Sequence, residues 1–109
     1  MLKLPLSKQT PNYSYKTLYN KDVVMGRCYL HNKTFPDIHC HPHALEIYII
    51  MSGEGEVYDN DHWEPIKAGE TKVFQPGVKH ALKTTTDIEL LYIFNTGPFE
   101  NIIYNFSKL

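Results

Sequence analysis

The sequence predicts an all-β domain, a sandwich or barrel for which a jelly roll is the natural candidate. Three observations carry that expectation. Short runs rich in Val, Ile, Tyr and Phe recur at close and fairly even spacing, turn residues separate them, and no window of ten residues holds a convincing helical stripe. With 109 residues the chain has room for one domain with a real core but not for a second.

Taken in order, residues 1–21 read as an N-terminal arm or edge strand, interrupted early by Pro5 and Pro11. A barrel is expected over 22–96. Its strands are VVMGRCYL (23–30), TFPDIHCH (34–41), LEIYIIM (45–51), GEVYD (55–59), HWEPI (62–66), TKVFQ (71–75), HALKTT (80–85) and DIELLYIF (87–94), each rich in β-branched and aromatic residues. Turns are expected at Asn60-Asp61, at Gly69 and at Pro76-Gly77, the residue types that supply turn dihedrals. Residues 97–109 read as a turn followed by one more apolar strand, which packs against the body or against a partner subunit.

Composition removes several classes of function. The chain is 42% hydrophobic, 13% aromatic and 21% charged, as in ordinary folded soluble domains. Its formal net charge is -1 and its Lys and Arg residues are scattered, so no basic track for nucleic acid is present. No apolar stretch approaches the length needed to cross a bilayer, and MLKLPLSKQTPNYSY lacks the apolar run of a signal peptide. A cytoplasmic protein is therefore expected. Cys28 and Cys40 do not make a disulfide framework and read as two free thiols in a reducing compartment.

Chemistry concentrates in HCHPHALE, residues 39–46. In an extended strand His39 and His41 share a face and Cys40 takes the other, so the two imidazoles can converge on one ion. By the same parity His41 and His43 form an equally good pair. Glu46 has the opposite parity and joins a histidine pair only if the chain turns at Pro42. A carboxylate set among Leu45, Ile47, Ile49 and Ile50 is costly to bury without a partner, either a cation from a neighbouring strand or a metal. Further on, GETKVFQPGVKH delivers His80 to the start of another strand. Three histidines and one carboxylate leave one or two positions open on an octahedral ion, a set suited to Fe, Mn, Ni or Zn in contact with a substrate.

These two stretches resemble the paired motifs of the cupins. The first family motif is G, five residues, H-x-H, three or four residues, E, six residues, G; here His39-Cys40-His41, four residues, Glu46, six residues, Gly53. The second is G, a Pro-x-Gly turn, two residues and His; here Gly69, Pro76-Gly77, Val78-Lys79, His80. The chain departs from the pattern at Lys33, where a glycine opens the first motif, at Thr84, where an asparagine is usual, and in the direct contact of Pro76 with Gly77. None of these positions is a ligand. The resemblance spans roughly residues 34 to 94 and implies a double-stranded β-helix, the cupin jelly-roll barrel. It also implies one divalent transition metal ion per chain, held by His39, His41, Glu46 and His80.

With Glu46 facing inward, Tyr48 and Ile50 share its face. An outward Glu89 likewise turns Tyr92 and Phe94 inward. Phe74 and Met25 are further candidates for the lining, and His31 or Arg27 for added polarity. His43 falls at the cavity mouth as a proton carrier, substrate contact or plain loop residue. With Tyr48 and Tyr92 it completes the candidate catalytic set. His62, just past a predicted hairpin turn, reads as solvated. The cavity suits a small organic acid or carbohydrate-like molecule. The resemblance implies a metal-dependent enzyme of isomerase, lyase or dioxygenase type, with a non-catalytic small-molecule-binding domain as the alternative. Ile47, Ile49, Leu91 and Ile93 leave apolar side chains on the outer face as well, from which a homodimer is expected.

Overall fold

Alternation along each run decides which side chains turn inward, and in the computed structural model it does so on two facing sheets. The structure describes residues 13–32 and 37–107. Their strands are β1 (Tyr13–Asn20), β2 (Val24–Leu30), β3 (His39–Cys40), β4 (Glu46–Ser52), β5 (Glu54–Asp59), β6 (His62–Lys67), β7 (Thr71–Phe74), β8 (His80–Thr84), β9 (Ile88–Phe94) and β10 (Asn105–Phe106), with a 3-10 turn at Phe99–Asn101. One sheet runs β1-β2-β9-β4-β7 and the other β10-β3-β8-β5-β6, and all the pairings described are antiparallel. Consecutive strands β3 and β4, β6 and β7, β7 and β8, and β8 and β9 lie in opposite sheets. This is the double-stranded β-helix that the sequence predicts.

The core fills the space between the sheets. From β4 come Tyr48 and Ile50, from β9 Ile88, Leu90, Tyr92 and Phe94, from β5 Val57, and from β8 Leu82. On β9 the pattern is fully periodic, buried at every second residue, which fixes the register against β2 and β4 because a one-residue slip would turn the set outward. Turns fall where expected. Asn60 has φ 65, and Gly69 and Gly77 have φ 90 and 85, a region that disfavours a side chain. At the edge opposite β1, Lys72 of β7 reaches Asp59 of β5 at 2.6 Å and Glu64 of β6 at 2.5 Å, fastening one sheet to the other.

One expectation takes its edge-strand form, and one needs adjustment. Within the arm or edge strand read over residues 1–21 lies β1, an eight-residue edge strand paired along β2. Its polar residues Ser14, Lys16 and Thr17 mask a strand that buries Tyr15. The predicted strand over 34–41 is represented by His39–Cys40 alone, its residues 34–36 lying outside the described part. At the other end, residues 97–107 pack on the body of the barrel. Phe99 and Ile102 enter the core, and β10 pairs with β3.

Candidate metal centre

The site is assembled across the sheets. His39 and His80 stand directly opposite each other on β3 and β8. His41 follows β3 by one residue, and Glu46 opens β4 in the other sheet. One ligand atom from each of the four lies within 4.8 Å of every other. His41, Glu46 and His80 are buried. The turn over 41–45 thus does more than switch strand parity, because it carries the chain from one sheet to the other so that Glu46 faces the histidines from across the barrel. The carbonyl of His41 accepts from Ala44 N at 3.4 Å and from Gly77 N at 2.9 Å, so the Pro76-Gly77 turn braces the residue that starts the crossing.

Each histidine is oriented from behind by a backbone carbonyl. Nδ1–H of His39 donates to Asp37 O at 3.0 Å, that of His41 to Ile103 O at 2.9 Å and that of His80 to Val78 O at 2.9 Å. A carbonyl can only accept, so the proton sits on Nδ1 and the inward Nε2 presents its lone pair in the neutral ring. His80 Nε2 and His41 Nε2 lie 2.9 and 3.2 Å from the same oxygen, Glu46 Oε1, and His41 Nε2 has no hydrogen-bond partner. Four acceptors therefore converge in a buried space. One proton would satisfy one contact, whereas a divalent cation satisfies all four, and three imidazoles with one carboxylate form a donor set for a transition metal. The residues fit the ion that the resemblance implies.

Electrostatics agree with this arrangement. Burial would raise the Glu46 carboxyl, but in the metal-free site the His41 and His80 rings beside it, each able to take up a proton on Nε2 and turn it toward the carboxylate, outweigh burial and hold it at about 2, so Glu46 stays an anion able to ligate. Burial, with the nearby His80, lowers His39 to about 4 despite the opposing Asp37 carbonyl and Glu46, so its ring is neutral and free to ligate at physiological pH.

Around the cluster the walls are aromatic. Phe74 stacks on His80 with ring centroids 4.4 Å apart, Phe94 meets His41 edge-on at 4.9 Å, and Tyr48 lies 6.1 Å from His80. Tyr92 packs edge-to-face on Tyr15 at 5.5 Å and lies 6.1 Å from Phe94, one ring further from the histidines. Burial holds both the Tyr48 and Tyr92 phenols above the usual range, so they stay protonated hydrogen-bond donors.

Other sequence candidates lie elsewhere. Met25 is 37% exposed on the outer face of β2, because it alternates with the inward Val24 and Gly26. Arg27 shares that outer face, pairing with Glu89 at 3.2 Å, and His31 is exposed at the strand end beside the Tyr29 ring. None of these three lines the interior. His43 is exposed on the turn before β4, outside the four-residue cluster. His62 is exposed as expected, but it is bound by Asp61 and Glu64, which raise its pKa.

Three neighbours of the site carry no sequence signal of their own. Tyr104 stacks on His39 at 5.2 Å and stands edge-on to His41 at 4.4 Å, from a tail that reads only as apolar. Cys28 turns its thiol inward from β2, where burial, and secondarily the Glu46 charge, pushes it up to about 12. The Ile103 carbonyl is backbone, invisible in any side-chain pattern. Both cysteines are free, as expected.

Residues 28–94 match the family model described as Cupin domain. The chain is 34% identical over 82 residues to an oxalate-binding protein of Thermotoga maritima, covering 73% of this chain and 68% of that one. Among solved structures, a predicted oxalate decarboxylase from Thermotoga maritima superposes with a TM-score of 0.74 at 29% identity, over 77% of this chain and 80% of that one. An uncharacterised protein with a double-stranded β-helix domain from Klebsiella pneumoniae superposes with a TM-score of 0.80 at 19% identity, covering 93% and 89%.

Proposed function

Because the chain belongs to the cupin domain family, we propose that it is a metal-dependent protein acting on a small organic acid, with His39, His41, Glu46 and His80 as ligands of one divalent transition metal ion. The observation that carries this reading is the convergence of three outward-braced imidazoles and one carboxylate, all acceptors, in a buried aromatic chamber. Such an ion, when bound, supplies Lewis acidity toward a carboxylate or carbonyl oxygen. The chain's own residues do the rest. Phe74, Phe94 and Tyr48 exclude water from around the cluster, and the Tyr48 and Tyr92 phenols remain donors that orient a ligand's oxygens. Arg27 is outside, so the interior is better suited to an acid whose charge is met at the ligand cluster than to a phosphorylated sugar. The relative named for oxalate binding is consistent with a small dicarboxylate. Isomerase, lyase and dioxygenase chemistry all suit such a site, with exposed His43 acting from the mouth as a proton carrier.

A second reading, binding without turnover, draws support from one observation. The phenols around the cluster, those of Tyr104, Tyr48 and Tyr92, are held protonated by burial and so do not serve as bases. We further propose a cytoplasmic homodimer, supported by the two free thiols and by the apolar outer face of the β1-β2-β9-β4-β7 sheet.

The deciding experiment begins with elemental analysis of protein purified without an affinity tag, beside a His80→Ala variant. Near-stoichiometric metal is expected in the first and a marked loss in the second. Equal metal in both removes His80 from the ligand set. Calorimetric titration of the loaded protein with oxalate and a panel of small hydroxy and keto acids should then give saturable binding that chelation of the metal abolishes. Loss of substrate over time separates turnover from binding. His43→Ala is expected to keep the metal while lowering turnover.

A further inference from the structure

The segment that follows the 3-10 turn touches the metal centre in three ways at once. The Ile103 carbonyl accepts the proton of His41 Nδ1 at 2.9 Å, which sets the ring with Nε2 inward. Tyr104 stacks on His39 with the rings 22° from parallel and lies nearly perpendicular to His41 at 4.4 Å. Phe106 adds a ring 5.8 Å from His39 and 6.2 Å from Tyr104. Two of the four cluster residues, His39 and His80, lie in the sheet whose edge this segment covers, and His41 directly follows its strand β3.

What anchors the segment is uneven. Phe99 and Ile102 are buried in the core. Beyond them the backbone pairs with the body only through Asn105 with Cys40, Phe106 with His39, and a bond from Ser107 N to Ile38 O at 2.8 Å among the described residues, and the rest of its hold runs through the site itself, by the Ile103 carbonyl on His41 and the Tyr104 ring packed on the core beside the histidines. Ile103 is 49% and Phe106 51% exposed. Short edge pairing of this kind belongs to the low-stability end of a fold, the end from which closing elements are drawn. The buried anchor at Ile102 and the short edge pairing beyond it mark a hinge.

We propose that Ile103–Ser107 is a strap over the metal centre. Its release from β3 would withdraw Tyr104 from the His39 and His41 rings and free His41 from its carbonyl, and this opening limits exchange of the ion and its ligand. Tyr104 is accordingly a positioning residue, acting through the two histidines by ring contact rather than through its hydroxyl. The inference rests on the assignment of His39, His41, Glu46 and His80 as metal ligands.

The register provides a lock. Cys40 is a free, half-buried thiol directly opposite Asn105. Facing residues on antiparallel strands stand about 4.5–5.5 Å apart at Cα, within the range a disulfide bridges. In Asn105→Cys, oxidation should join the strap to β3. With the full-length protein loaded with zinc, release of the ion to a chromophoric chelator is followed with and without reductant. The bridged form is expected to release zinc at least tenfold more slowly, and reductant should restore the rate without altering the wild type. Failure of the bridge to form would refute the Asn105–Cys40 pairing that the strap requires, and an unchanged rate in the bridged form would refute gating. In parallel, Tyr104→Ala should release zinc about tenfold or more faster, in line with the usual effect of losing a group that orients a metal ligand. Tyr104→Phe should keep the wild-type rate. Ala and Phe variants that behave alike would remove ring contact as the cause. If wild-type protein itself holds no zinc, the ligand assignment fails instead, an outcome distinct from either of the others.

Discussion

His39 and Glu46 give the metal-free protein its response to acid. His39 sits at about 4 when folded against an ordinary 6.5, so between those values the unfolded chain binds more protons than the folded one. The stability this ring allows at neutral pH is therefore lost as pH falls from about 6.5 toward 4. Glu46, at about 2 against 4.5, works in the same direction lower down, and its contribution is lost as pH falls from about 4.5 toward 2. Urea unfolding of the chelator-treated protein should show a midpoint that is flat between about pH 7 and 8 and declines steadily below 6.5. A His39→Gln variant should shift the onset of that decline toward lower pH. A wild-type midpoint unchanged between pH 7 and 5 would contradict the burial of a neutral His39. Metal affinity of the folded protein is expected to fall only as pH approaches 4, where the His39 imidazole takes up the proton it must lose to ligate. All four candidate ligands were legible in the sequence because their side chains carry the chemistry and their spacing matches a family motif. The groups that orient them were not. Asp37, Val78 and Ile103 act through carbonyls, which every residue has, and only the fold decides which carbonyl stands behind which ring.

Among the elements, strands buried in periodic fashion were readable almost to the residue, and those that depend on a distant partner were not. β9 alternates without a break, so its limits and inward face follow from the sequence. β1 buries Tyr15 between polar neighbours and takes its order from β2. β10 is two residues long and exists because β3 offers an edge. Two glycines test how the elements are held, by different physics. At Gly26, a Cβ would fall 2.2 Å from the Tyr92 ring, which lies over the β2 backbone opposite it. Gly26→Ala should cost ~1–3 kcal/mol through overpacking, and should displace Tyr92. At Gly77 a Cβ meets nothing within 4 Å, but φ is +85. Gly77→Ala should therefore cost only the conformational penalty, ~1–2 kcal/mol. Because Gly77 N braces the His41 carbonyl, this variant should also weaken metal binding, whereas Gly26→Ala should leave it nearly unchanged. Denaturation midpoints and chelator competition on both variants separate the two effects. Equal loss of metal affinity in both would mean that the Pro76-Gly77 turn does not support the site.

For the whole molecule, the two outer faces differ, and the difference predicts an assembly. Outside the β10-β3-β8-β5-β6 sheet lie polar and charged groups, among them Lys83, which pairs with Glu56 at 3.2 Å and sits over the Trp63 ring. Outside the other sheet, the register lays Met25, Ile93, Ile47 and Val73 in one row across four adjacent strands, with Leu91 and Ile49 in the next. Met25 and Val73 at the ends of the first row are 37% and 46% exposed. An exposed apolar row of this kind is the sort of surface that another chain covers, and in the proposed homodimer a second copy covers it. Arg27 and Glu89 are paired beside the apolar row, and a two-fold axis passing close to that pair would set each near its opposite in the other copy, making the patch self-complementary. Light scattering should accordingly give twice the chain mass at micromolar concentration. Ile93→Lys, a charge in the middle of the row on the central strand, should shift the protein to monomer while keeping its metal, because the inward residues of β9 are untouched. Wild-type protein that stays monomeric across a wide concentration range would overturn the dimer. A fully dimeric Ile93→Lys variant would instead place the contact on another surface.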